Sequence, residues 1–184
     1  MAVIQTPYQS IESQLLEQCR HLRLLAFDVD GIFSDGRIYL GNNGEELKSF
    51  HTLDGYGIKS LLKQGLVVAV ITGRRSGLVQ QRMQSLGVEH IIQGEENKGA
   101  ALRELITNLD LQPEQVASMG DDMPDLPMFE LSGLSFSVPG AHPLVQQQAD
   151  YITLRQGGYG AVREICDLVL QALGQLHQIQ GSSV

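Results

Sequence analysis

Basic side chains are scarce in this sequence. Thirteen Lys and Arg stand against 21 Asp and Glu, a net charge of −8 over 184 residues. A surface of that sign repels phosphate backbones and argues against a general nucleic-acid binder. No apolar run approaches the roughly 20 residues that a membrane-spanning helix needs. The opening MAVIQTPYQSIESQ lacks a basic stretch followed by an apolar one, so no secretory leader is expected. Cysteine is nearly absent. Cys19 and Cys166 share no metal-ligand spacing, and two distant thiols fit buried side chains in a reducing compartment better than a disulfide framework. A cytoplasmic protein is expected. Internal repeats, low-complexity tracts and linkers are also missing, and only Gly181 to Val184 reads as a loose tail. What is present is a chain of about one domain's length, 42% hydrophobic and 18% charged, which suits a folded core.

Short apolar runs alternate with amphipathic stretches. Leu24 to Phe27 ends on Asp28, and Leu66 to Ile71 ends on Thr72-Gly73. His90 to Ile92 ends on Gln93-Gly94, Val116 to Met119 on Gly120-Asp121, and two more runs follow at 134–138 and 151–154. Runs with so little internal alternation predict strands buried on both faces. Helical spacing appears at 58–64 and 76–86, each closing on a glycine, and again at 98–109 and 161–173. The fold class expected is α/β, a doubly wound, mostly parallel sheet of Rossmann type. One segment breaks the alternation: Arg37 to Leu40, an Asn43-Gly44 turn and Glu45 to His51 predict a β-hairpin. Residues 1–184 are expected to form one unit, with a hairpin insertion at about 37–51 and no large cap domain.

Open sheets of this class bind ligands beyond the carboxyl ends of their strands, so the residues ending each run carry the chemistry. Asp28 and Asp30 lie two apart where the first buried run ends, with Gly31 free to turn the chain. Asp121, Asp122 and Asp125 follow another run. Close carboxylates repel unless a cation or shared proton intervenes, and oxygen-rich clusters suit Mg²⁺. Asp is also common in turns and at helix N-caps; Asp122 or Asp125 could serve as a cap, and Asp35 reads as a turn residue. Thr72, Gly73 and Lys98 supply phosphate-binding character. Lys98 opens a helix, where a cation opposes the dipole, so either a functional role or a solvated surface lysine accounts for it. Together these parts suit phosphoryl transfer to an aspartate.

DVDG, ITGR, NK and GDDMPD occur in the order of the four motifs of the haloacid dehalogenase-like phosphatases, which the chain resembles. FDVDGIFSDGRIYL, GEELKSFHTLDGYGIK, ITGRRS, GDDMPDLPMF and GGYGAVREICDLVL extend the resemblance from about Leu24 to Gly174. They are similar to the branch acting on phosphorylated octulosonic acids, on the route to the inner-core sugar of lipopolysaccharide. The resemblance implies a Mg²⁺-dependent phosphatase working through an aspartyl phosphate on Asp28. Asp30 would be the acid and then the base, and would also face the substrate. The metal would be held by the side chains of Asp28 and Asp121 and the carbonyl of Asp30. Thr72, Gly73 and Lys98 would surround the phosphoryl group.

For the acidic sugar, the resemblance points to His51, Thr52, Leu53, Asp54 and Gly55. It adds Lys59, Arg74 and Arg82, although Arg82 could equally be an ordinary surface-helix residue. It further implies a homotetramer with central hairpins and active sites shared between subunits. In that arrangement, Gly157 to Gly160 and the C-terminal tail are candidates to close a site, an ordinary loop being the alternative. A nonulosonate 9-phosphate phosphatase fits the same motifs. A receiver-type phospho-aspartate domain fits poorly, because receivers take their aspartate from a middle strand in chain order. A non-catalytic binding module would leave the intact acids and Lys98 without a task.

Overall fold

A computed structural model describes residues 2–178. Its centre is a six-stranded parallel sheet that runs, in spatial order, Tyr151–Ile152, Leu134–Ser137, Val116–Met119, Leu24–Phe27, Val67–Thr72 and His90–Gln93. The strands are β3 (Leu24–Phe27), β6 (Val67–Thr72), β7 (His90–Gln93), β8 (Val116–Met119), β9 (Leu134–Ser137) and β10 (Tyr151–Ile152). All six expected runs are strands, the last one shorter than expected. Because every pairing is parallel, all carboxyl ends lie on one edge. Leu24 is level with Val67 on one side and Val116 on the other, so β3 is central. The chain moves from β3 to β6 and β7, then returns to β8 on the other side of β3. That reversal is the switch point at which ligands bind in open α/β sheets, and Asp28 and Gly120-Asp121 flank it.

Alternate strand residues face opposite layers. Leu25, Phe27, Val68, Val70, Ala117 and Met119 pack with α1 (Ser13–Arg20), α2 (Thr52–Lys63), α3 (Gly77–Leu86) and α7 (Ala161–Ala172). Leu24, Ala26, Ala69, Ile71 and Val116 pack on the other face, against α4 (Lys98–Asn108) and α5 (Leu126–Phe129). Burial on both faces accounts for the continuous apolar runs. Cys19 and Cys166 are free and buried in the larger layer.

Helix α2 begins at Thr52, six residues before the apolar spacing predicts. Gly55 and Gly57 dilute its first turns, but they are required by packing: a Cβ on Gly57 would stand 2.8 Å from the Cβ of Cys166 in α7. Close approach of α2 and α7 outweighs the low helix propensity of glycine. Helices α3, α4 and α7 fall within a residue or two of expectation. The inserted hairpin pairs over two residues per strand, β4 (Tyr39–Leu40) with β5 (Glu46–Leu47). Gly44, at φ 84°, makes its turn. Several short elements have no sequence signal, among them the N-terminal hairpin of β1 (Val3–Gln5) and β2 (Ser10–Glu12), and α6 (Pro143–Gln148). Residues 181–184, read from the sequence as a tail, lie outside the described residues.

Candidate active site

Asp28 is the first residue past β3 and is 5% exposed. Its backbone N–H donates to the Met119 carbonyl at 2.9 Å, which continues the sheet by one step and ties the β3 exit to the β8 exit. Lys98, also buried, reaches in from the first turn of α4. Its ammonium donates to Asp28 Oδ1 and to Asp125 Oδ1, each at 2.6 Å. The placement that looked unfavourable at a helix N-terminus is therefore resolved by two carboxylates, while Asn97 caps the helix by accepting from the Ala100 N–H.

Asp125, which the sequence leaves open between a helix cap and a member of the acidic cluster, organises this corner. Its second oxygen accepts from the backbone N–H groups of Asp121, at 2.9 Å, and Asp122, at 3.1 Å. Asp122 instead caps the following 3₁₀ turn through the Met123 N–H. Oxygens of Asp28, Asp121 and Asp125 all lie within 4.8 Å of one another. Burial and the neighbouring Asp125 raise the Asp28 carboxyl to about 8, against the lowering pull of Lys98. Burial, Asp125 and Asp122 raise Asp121 to about 7. Desolvation opposes the charge on Lys98, but Asp28 and Asp125 together outweigh it and hold the ammonium above its usual range.

Such carboxylates are poorly compensated by protein alone, and a divalent cation meets that need. The donor set of buried carboxylate oxygens at a sheet edge fits Mg²⁺. Both oxygens of Asp125 are already engaged, which leaves Asp28 and Asp121 the better side-chain donors. Gly31, at φ 91°, lets the loop after β3 fold over them: a Cβ there would fall 1.8 Å from Asp121 Oδ2.

The second loop comes from β6. Thr72 ends that strand and is 2% exposed, Gly73 and Arg74 are exposed, and Arg74 pairs with Glu46 of the hairpin at 3.2 Å. Gly73 has no crowding that would exclude a side chain, the nearest atom to an added Cβ being 4.0 Å away. Asp30, a quarter exposed, forms an ion pair with Lys48, whose side chain is only 3% exposed. Nothing local in the sequence marks Lys48, because the carboxylate it meets lies 18 residues away.

The substrate segment divides. His51 caps α2, accepting from the Leu53 N–H at 3.1 Å, and Thr52 and Leu53 are exposed beside it. Gly55 sits under Arg82, whose guanidinium would be 2.5 Å from an added Cβ. Arg82 and Lys59 are both half-buried. Arg82 is thus held at the start of α2 rather than free on a helix surface, and burial pushes its guanidinium pKa below the usual range despite Asp54. Asp54 turns away. It is 1% exposed and accepts from the Arg163 N–H of α7 at 2.9 Å, and its other oxygen has no hydrogen-bond partner.

The loop before α7 is docked on the site. Buried Glu164 accepts from the Tyr151 hydroxyl and the backbone N–H groups of Leu154 and Arg155. That grip places Gly157 so tightly on the β3 loop that a Cβ would lie 1.6 Å from the Gly31 carbonyl oxygen.

Residues 88–165 match the family model of haloacid dehalogenase-like hydrolases. The 3-deoxy-D-manno-octulosonate 8-phosphate phosphatase of Escherichia coli K12 is 48% identical over 183 residues, covering all of this chain and 97% of the relative. The crystal structure of the phosphatase of that name from Yersinia pestis superposes with a TM-score of 0.96 at 47% identity, over 100% of this chain and 99% of the other. The Moraxella catarrhalis phosphatase of the same name, in complex with magnesium, phosphate and KDO, superposes with a TM-score of 0.88. Its identity is 40%, over 90% of this chain and 95% of that one.

Proposed function

The chain belongs to the 3-deoxy-D-manno-octulosonate 8-phosphate phosphatases, a branch of the haloacid dehalogenase-like hydrolases, and from that premise we propose how its own residues divide the reaction. It is a Mg²⁺-dependent phosphoric monoester hydrolase that releases phosphate from 3-deoxy-D-manno-octulosonate 8-phosphate. The observation that carries the assignment of residues is Lys98 bridging Asp28 and Asp125 beside Asp121.

Asp28 is the nucleophile. One of its oxygens attacks phosphorus, and the bond from phosphorus to the sugar oxygen breaks as Asp30 gives that oxygen a proton. Asp28 then carries the phosphoryl group as an acyl phosphate. Asp30, now a carboxylate, takes a proton from water as the water attacks phosphorus, which frees inorganic phosphate and restores Asp28. Mg²⁺, held by the carboxylates of Asp28 and Asp121 and the carbonyl of Asp30, supplies positive charge that offsets those carboxylates and the phosphate. Thr72, the Gly73 backbone and Lys98 surround the transferring group, with Lys98 adding charge stabilisation. Asp125 keeps Lys98 and the Asp121 loop in place.

At the sugar end, the start of α2 with Lys59, Arg74 and Arg82 faces the carboxylate and hydroxyls of the substrate. Basic side chains suit an anion that carries both a carboxylate and a phosphate. The hairpin exposes Tyr39, Leu40 and Leu47, the last two at 72% and 68%. Apolar side chains on so short a hairpin are marginal in water. This supports a homotetramer in which hairpins from four copies pack together, with active sites shared between subunits. The whole chain acts as one catalytic unit, working in the cytoplasm on the route to the lipopolysaccharide core.

The test is phosphate release with Mg²⁺ from a panel of sugar phosphates. The octulosonate 8-phosphate should give the highest kcat/KM. Preference for a nonulosonate 9-phosphate would move the substrate assignment, and release from neutral hexose phosphates at equal efficiency would overturn it.

A further inference from the structure

Residues 46 to 48 leave the hairpin with strand alternation, and the two sides differ sharply. Leu47 points outward at 68% exposure. Glu46 and Lys48, on the other side, turn to two different catalytic loops. Glu46 meets Arg74, just past β6, and Lys48 meets Asp30, just past β3. A lysine side chain only 3% exposed is costly to bury in its charged form unless a carboxylate answers it. Here the answering group is Asp30. The insertion therefore has an inner face that reaches into its own subunit's site, apart from whatever its outer face packs against.

We propose that Lys48 is a positioning residue: by holding one oxygen of the Asp30 carboxyl group it leaves the other, protonated, directed at the departing sugar oxygen to which it gives its proton. The proposal rests on the assignment of Asp30 as the general acid. Lys48 reaches the Asp30 carboxyl group in a loop, where that side chain is a quarter exposed. Lys48 and Arg82 also line one cleft of about 310 Å³, so direct binding of the sugar by Lys48 is the competing role that the experiment must separate.

The experiment compares Lys48→Met, Lys48→Gln and Lys48→Arg with wild type and Asp30→Asn. It measures kcat/KM for the octulosonate 8-phosphate and for 4-nitrophenyl phosphate, together with inhibition by the free sugar acid. The aryl leaving group departs with little proton assistance, and kcat/KM reports the steps up to its departure. Because a general acid contributes roughly 10²–10⁴-fold, Lys48→Met and Lys48→Gln should lose about tenfold or more with the sugar phosphate. They should lose less than about threefold with the aryl phosphate, leave the inhibition constant within about twofold, and recover in Lys48→Arg. Adding Lys48→Met to Asp30→Asn should cost little more than Asp30→Asn alone. Parallel losses on both substrates, or no loss on either, would overturn the proposal. So would a large rise in the inhibition constant, which would make Lys48 a binding residue. If Asp30→Asn itself fails to discriminate between the substrates, the fault lies in the assignment of Asp30. If it discriminates and the Lys48 variants do not, only the role of Lys48 is lost.

Discussion

Charge placement explains most of the site at the scale of single residues. Asp28, Lys98 and Asp125 are each costly to bury alone, and their two 2.6 Å contacts make the arrangement tolerable while Asp28 remains raised to about 8. The sequence exposed the acids because they end apolar strands, and it exposed Lys98 because a lysine is out of place at a helix start. It could not expose Lys48 or the orienting role of Asp125, since both depend on which side chains meet across long stretches of chain. Asp54 is the converse case, a residue inside the segment proposed to meet substrate whose own carboxyl faces the interior. Burial raises it to about 7, offset by the Arg163 N–H and by Arg82 and Arg163. An acid raised by folding binds a proton in the native state that the unfolded state has lost between pH of about 4 and 7. Stability therefore falls as pH rises through that window and levels off above it. At about 1.4 kcal/mol per unit the effect is on the order of 4 kcal/mol at most. Asp54→Asn should remove it: urea midpoints of wild type should drop relative to the variant from pH 4 to 7, whereas curves that stay parallel would place Asp54 in water.

Glycine is the recurring device at the scale of elements, and it also marks where sequence patterns misread the fold. The start of α2 was hidden because Gly55 and Gly57 interrupt its apolar spacing, yet both are there to let Arg82 and α7 approach. The short N-terminal hairpin left no signal, since three residues per strand cannot establish a period. Gly157 carries the strongest constraint in the loop before α7, with no room between it and Gly31. Gly157→Ala should force the two loops apart, costing about 2–4 kcal/mol in stability and a large part of kcat. Gly77, in the first turn of α3, has nothing within 4 Å of an added Cβ and no positive φ. Gly77→Ala should keep full activity and gain about 0.4–1 kcal/mol. Equal, mild effects of the two substitutions in thermal melts and assays would contradict this docking of the loop.

The sheet order unites these pieces at the scale of the whole molecule. A parallel sheet with β3 at its switch point puts Asp28, Thr72 and Asp121 on one edge, and that much follows from the alternation of strands and helices. The acidic excess of the chain, which argues against a general nucleic-acid binder, gathers in part at the cluster of Asp28, Asp121 and Asp125 proposed to meet the cation. Loading that site should stabilise the fold, because the cation binds the native cluster and relieves its repulsion. After chelation, the protein should lose activity and melt at a lower temperature. Added Mg²⁺ should restore both, and a melting temperature indifferent to Mg²⁺ would speak against a site built from Asp28 and Asp121.

The central claim is that phosphate passes through Asp28. Its most direct test is an acid quench of enzyme turning over substrate labelled in the phosphate, followed by location of the label in peptides. The account predicts covalent label on the peptide containing Asp28, accumulating in Asp30→Asn, where hydrolysis of the acyl phosphate lacks its base. Asp28→Asn should carry no label and release no phosphate. Sustained turnover by undeamidated Asp28→Asn, or label on a peptide without Asp28, would contradict it.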